Sequence, residues 1–288
     1  VPARYFQGSV PRSSSWAAGR VGDGLSIIAE NLVVELGGAQ ILSGVSMSAR
    51  RGEVVTLVGP NGSGKTTVLK VLAGVLRRFA GRVEVLGGPP RPDKVAFVAQ
   101  VPELQFTERT VLEELASVFR ARGAGWREAL RRARQLLRES NLEHLSDRVV
   151  YELSQGEKRL ISFLEMDALG REVYLLDEPT FGLDMRYSML VVDRVRKLSE
   201  AGKTVVLVTH DSWVLPLLRA RIYGLSRGRV VFEGDLVDLL RRRDLWPELG
   251  FAPPKFIEEL AQEEGLERAV EEYAARVTCA WSGCAPTR

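Results

Sequence analysis

A lysine and a threonine directly behind a cluster of glycines are residue types that grip phosphate. Gly59-Pro60-Asn61-Gly62-Ser63-Gly64-Lys65-Thr66 sets them at the spacing G-x-x-x-x-G-K-[ST]. Glycines let a loop curl until successive backbone N–H groups converge on an anion, and a helix starting there adds a favourable dipole. Lys65 is then placed to reach the β- and γ-phosphates of a nucleotide, and the Thr66 hydroxyl to ligate Mg²⁺. A second acidic element lies further on, where the apolar run Val173-Tyr174-Leu175-Leu176 ends in Asp177-Glu178. A buried strand would deliver Asp177 to the sheet edge where ligand crevices form, in position to hold Mg²⁺ through water. Glu178, pointing elsewhere, is placed to polarise an attacking water. His210 follows another apolar run, Thr204–Thr209. Alone, a histidine at a strand end is an ordinary structural feature. Beside a phosphate crevice it can contact the γ-phosphate and sense hydrolysis. His144 has no such placement.

These residues need elements to hold them. Apolar segments Ile27–Leu36, Ile41–Ala49 and Val54–Val58 alternate with glycine turns and read as strands. Thr66–Leu76 carries Leu69, Leu72, Val75 and Leu76 at helical spacing. Strands follow at Arg82–Leu86 and Val95–Ala99. The chain then turns helical, with an apolar face on Thr110–Arg120 and another on Trp126–Ser140, in an insert spanning roughly 101–170. Strand and helix alternate again through Val173–Leu176, Met185–Glu200, Thr204–Thr209, Trp213–Arg219, Ile222–Leu225 and Arg229–Phe232. Such alternation with buried Val/Leu runs predicts an α/β fold whose parallel sheet is covered on both faces. From about Asp244 a Pro-punctuated stretch leads into one final amphipathic helix.

Composition sets the outer limits. The 288 residues are 45% apolar and 27% charged, a balance that excludes wholesale disorder. No apolar run is long enough to cross a bilayer, and residues 1–24 read as a flexible leader rather than a signal peptide, which favours the cytoplasm. A net charge of +3 gives no argument for nucleic acid as a partner. The arginines are unevenly spread, however. Seven crowd between Arg120 and Arg138, on a solvated helix face or one turned to anionic lipid or an acidic partner. Cys279 and Cys284 have no nearby His or further Cys and read as ordinary thiols.

Leu153-Ser154-Gln155-Gly156-Glu157-Lys158-Arg159, opening a predicted helix, completes a set that resembles the nucleotide-binding subunit of an ABC ATPase. Asp177-Glu178-Pro179-Thr180 is similar to the extended Walker B motif, Phe181-Gly182-Leu183-Asp184 to the D-loop, Gln100 to the Q-loop and His210 to the switch histidine. The motifs run in the family's order over roughly 25–235. The resemblance implies a P-loop NTPase core with an antiparallel β-subdomain and an inserted α-helical subdomain, occupying 25–243. It implies ATP and Mg²⁺ as ligands. ATP would be cradled by Gly59, Pro60, Asn61, Gly62, Ser63, Gly64, Lys65, Thr66 and Thr67, with Ser154, Gly156 and Asp184 contributed across a head-to-tail pair of subunits. Thr66, Gln100 and Asp177 would hold the metal, and Glu178, His210 and Gln100 would serve hydrolysis.

Three departures stand out. Gln155 and Glu157 replace usual signature residues. Leu36 occupies the place of an adenine-stacking aromatic, so base discrimination should weaken. Glu165 and Asp167 make the helix after the signature unusually acidic, for no reason the sequence supplies. The stretch Asp244–Pro254, then a helix, is similar to the C-terminal extension (244–288) of energy-coupling-factor transporter ATPases. That likeness implies a peripheral subunit on the cytoplasmic face of the membrane, energising uptake of a vitamin or transition-metal ion. Its partners would be a second ATPase subunit (self or paralogue), an integral membrane coupling protein and a substrate-binding membrane protein. A soluble ABC ATPase such as a cofactor-assembly factor would carry the same motifs. A GTP-driven switch would need an [NT]-K-x-D motif, which is missing.

Overall fold

Gly37 and Gly38, both at positive φ, close a two-residue turn between the long strands β1 (Leu25–Leu36) and β2 (Ala39–Arg50). Left-handed residues at both turn positions match the twist of paired strands. Across the computed structural model, which describes residues 24–98 and 106–282, this hairpin is one of two sheets. β4 (Ala80–Val85) adds to β1 antiparallel, giving the order β2-β1-β4. The strand read at Arg82–Leu86 therefore belongs to the expected antiparallel unit and not to the parallel sheet. Gln100, Cys284 and all but the last residue of the 1–24 leader lie outside the described residues.

The second sheet has the order β5-β6-β7-β3-β8-β9. Its strands are β3 (Val54–Val58), β5 (Val95–Val98), β6 (Val173–Asp177), β7 (Thr204–Val208), β8 (Arg221–Ser226) and β9 (Arg229–Gly234). All neighbours run parallel except the β8–β9 hairpin. Every residue of β3, β6 and β7 is buried, as strands covered on both faces must be. The pleat sorts them: Tyr174, Leu176, Val205 and Leu207 join a core built mainly from helices. Val173, Leu175, Val206 and Val208 face the opposite core, shared with the antiparallel sheet and with α1 (Lys65–Leu72).

α1 stops four residues short of the periodicity's suggestion. Gly74 turns left-handed at φ 71° against Pro90, whose carbonyl oxygen would lie 2.7 Å from any Cβ there. The insert supplies α2 (Val111–Ala121), α3 (Trp126–Glu139) and α4 (Gln155–Ala168). Its buried Leu115, Leu137 and Ile161 share one continuous core with the sheet face above. α5 (Met185–Glu200) covers the same face, and α6 (Leu215–Leu218) precedes β8.

After β9 the chain forms α7 (Leu236–Arg241), α8 (Trp246–Leu249), α9 (Lys255–Glu264) and α10 (Leu266–Ser282). The single final helix expected from sequence is two, broken at Gly265, whose φ of +87° no helix tolerates. Leu239, Leu249 and Ile257 are fully buried against Val58, Ile222 and Phe232. Burial on that scale stabilises by about 2 kcal/mol per side chain, enough to fix this region on the sheet.

Candidate nucleotide site

The phosphate loop is shaped by two glycines that nothing else can replace. A Cβ on Gly59 (φ 150°) would fall 2.1 Å from the Leu225 carbonyl oxygen. One on Gly64 (φ 104°), the residue that caps α1, would fall 2.5 Å from Leu42 Cδ2. The loop is tied on its outside as well. Gly228 N–H donates to the Ser63 carbonyl (3.1 Å), and Ser43 N–H donates to the Gly228 carbonyl (2.8 Å). Lys65 folds back, its Nζ donating to the carbonyls of Gly59 (2.7 Å) and Pro60 (3.0 Å). Burial lowers its pKa, against the opposing pull of the Glu178 and Asp177 carboxylates. Thr66 and Thr67 sit half-buried in the first turn of α1.

β6 delivers Asp177 beside this loop, 1% exposed, with its Oδ1 buried and without a hydrogen-bond partner. Ser63 Oγ is orphaned in the same way. Buried polar atoms are normally satisfied, so such orphans mark where a ligand is wanted. Glu178 adopts a left-handed backbone (φ 51°), rare for a residue with a side chain. Three contacts hold it there. Its N–H donates to Val208 O (2.9 Å), while its carbonyl accepts from Phe181 N–H (3.1 Å) and from Arg159 Nη2. The turn aims the carboxylate at His210, with Oε1 3.1 Å from Nε2. Burial pushes the Glu178 pKa up, and His210 and Lys65 only partly counter it. Thr180 Oγ1 donates to Asp211 Oδ2 (2.6 Å), and Asp211 N–H donates to Thr209 Oγ1 (3.0 Å), locking the two strand ends together.

Phosphate loop, Asp177, Glu178 and His210 are thus brought together, as their strand-end placement anticipates. Ser154, Gly156 and Asp184, the other described residues of the predicted site, are not. Ser154 and Asp184 are exposed helix caps, on α4 and α5. Gly156 lies beside Gly182, Leu183 and Tyr187. Among the described residues no hydrogen bond joins Ser154, Gly156 or Asp184 to the phosphate loop.

Sequence reasoning missed Arg159. It stacks on Phe181 (5.7 Å to the ring centroid) while holding the Glu178 carbonyl, so it links α4 to the acidic turn. No local pattern marks it, because its partners Glu178 and Phe181 lie well beyond the end of α4. Glu157 now has a role: its carboxylate accepts from Ser154 N–H (2.8 Å) in a capping box that starts α4. The acidic residues further along are also explained. Asp167 is ion-paired with Arg194. Glu165 is buried beside Glu114, and the two effects push its carboxyl up to about 8. Glu114 in turn accepts from Thr107 N–H (2.9 Å) and Glu108 N–H (2.6 Å). Leu36 stands 43% exposed at the end of β1.

The loop, the acidic strand end and the two-sheet core define a P-loop nucleotide-binding protein with an inserted helical unit. Residues 42–181 match the ABC transporter family. The chain is 37% identical to an ABC transporter ATP-binding protein of Methanopyrus kandleri over 238 residues, 80% of this chain and 88% of that one. It is 31% identical to the energy-coupling factor transporter ATP-binding protein EcfA of Methanocaldococcus jannaschii, over 68% of this chain and 74% of that one. In fold it is similar to cbiO1 of Clostridium perfringens, part of the transporter complex cbiONQ. The TM-score is 0.70 at 23% identity, covering 86% of this chain and 98% of that one. The chain belongs to the ABC transporter ATP-binding proteins, nucleotide-binding ATPase subunits that energise transport. Among the described residues no helix is long and apolar enough to cross a membrane.

Proposed function

We propose that this subunit energises uptake of a vitamin or transition-metal ion, by ATP-driven pairing of two such subunits beneath a membrane coupling protein. The observation that carries the catalytic part is the Glu178–His210 contact of 3.1 Å, poised at the loop that holds Lys65. Lys65 and the loop N–H groups bind the β- and γ-phosphates. Glu178, raised in pKa by burial, takes the proton of the attacking water, and His210 orients that carboxylate and contacts the γ-phosphate. The orphaned Asp177 Oδ1 fits a divalent cation, and Asp177 with Thr66 would hold Mg²⁺. When bound, it would neutralise charge developing on the phosphates. Gln100 is assigned to the same shell from its place in the sequence alone.

Ser154 and Asp184 are exposed, with Gly156 half-buried beside them, because they serve a second subunit. There the N–H groups that open α4 meet the γ-phosphate of the opposite site, with the helix dipole favouring the anion. Pairing then persists only while the γ-phosphate is present, and its cleavage reopens the pair. The link to uptake is supported by the likeness to EcfA and by the helices that follow β9. Pull-down of the tagged chain from detergent-solubilised membranes tests the reading. It should recover a multi-spanning protein with a small membrane substrate-binding protein. Recovery of soluble partners alone would leave the ATPase and remove the uptake role.

A further inference from the structure

We infer that the outward face of α3 binds anionic phospholipid headgroups, giving the subunit a direct hold on the lipid surface beside its protein partner. This goes beyond the uptake reading and rests on it only for the nearness of a membrane.

Arg127, Arg131, Arg134 and Arg138 follow one another at spacings of four, three and four, so they form one stripe along the helix. At 1.5 Å rise per residue the stripe is about 16 Å long. All four are exposed, whereas the buried residues of α3 (Ala129, Ala133, Leu136 and Leu137) lie on the far side. Arg131 is drawn toward Glu128 (2.7 Å) and Arg138 toward Glu143 (2.7 Å). Arg127 and Arg134 have no carboxylate partner among the described residues. Folding thus leaves two guanidinium groups uncompensated on one face, and internal ion pairing does not account for them.

The shape argues for a lipid surface. The stripe is one straight row of exposed guanidinium groups along a single helix, which a flat layer of headgroups can meet along its length. Single-stranded nucleic acid calls instead for a concave basic groove with aromatic platforms. An anionic leaflet attracts each nearby basic residue strongly enough to raise partitioning roughly fivefold.

The test is sedimentation of the purified full chain with vesicles of phosphatidylcholine, with or without about one-third phosphatidylglycerol. Binding should require the anionic lipid and fall as salt is raised. The double variant Arg127→Gln/Arg134→Gln should lose on the order of ten- to thirtyfold in partitioning while keeping basal ATP hydrolysis. A control with equal charge loss elsewhere, Arg91→Gln/Arg242→Gln, should bind as the parent does. Equal sedimentation with neutral vesicles, an unchanged double variant, or an equal loss in the control would each overturn the assignment. No transporter partner is present in this assay, so its outcome is independent of whether the uptake reading stands.

Discussion

The two halves of the candidate site differ in how completely one chain builds them. Around the phosphate loop most groups are locked: Lys65 on two carbonyls, Glu178 on Val208, Phe181 and Arg159, and Asp211 on Thr180. Asp177 Oδ1 and Ser63 Oγ are left for a ligand. At the very start of α4 the side chains that cap the helix satisfy only their own helix. Ser154 and Glu157 bond each other, and Asp184 caps α5. The first half is a finished active-site wall and the second a finished surface. That contrast is what the proposed sharing of a site between two subunits would require, because the exposed half must stay folded while it waits.

Glu178→Gln carries the largest expected effect. Hydrolysis should fall by about 10²–10³-fold with nucleotide affinity intact, as measured by steady-state turnover and direct binding. Near-normal turnover would remove Glu178 as the base and dissolve the finished half. Gly156→Asp sharpens the other half. The nearest atom to a Cβ there is 3.5 Å away, so the chain should fold normally. Affinity of the single subunit for nucleotide should stay within about twofold, while hydrolysis falls on the order of a hundredfold through failed pairing. Loss of single-subunit affinity would mean that the two halves are not separate.

Arg159→Lys probes the strut between them. Lysine cannot keep both the stacking and the directed N–H, so kcat should drop about tenfold with KM little changed, and the pH–rate profile should shift as Glu178 loosens. A pure fall in stability with kcat unaltered would reduce Arg159 to packing. The last case concerns Glu165, on the same helix, and reads stability, leaving catalysis untouched. Its folded pKa of about 8 lies above the ordinary 4.5, so between those values the folded chain holds a proton that the unfolded chain releases. Stability therefore declines as pH rises through that window, by up to a few kcal/mol. Glu165→Gln should raise Tm at pH 8 and matter little near pH 5. A pH-independent shift would contradict the protonated state.

The phosphate loop was legible because its glycines and lysine are adjacent in sequence, and the acidic turn because an apolar strand announces it. The central strands and α5 follow from periodicity that tertiary packing did not overrule. Gly74 and Gly265 were harder, since a single glycine inside an apolar period does not say whether its backbone is left-handed. Arg159 and Asp211 act through partners 19 and 31 residues distant, and no local pattern records such contacts. Glu165 and Asp167 looked anomalous for the same reason, their partners Glu114 and Arg194 lying on other helices.

The chain of amides that runs from Ser43 through Gly228 to Ser63 has a consequence for exchange with solvent. The N–H groups of Ser43 and Gly228 are each spent on the next link, and the last link is the phosphate loop itself. Whatever quiets that loop quiets the antiparallel sheet and the β8–β9 turn with it. Deuterium uptake at Ser43, inside β2, and at Gly228, in the β8–β9 turn, both remote in sequence from the glycine cluster, should therefore slow together when nucleotide is added.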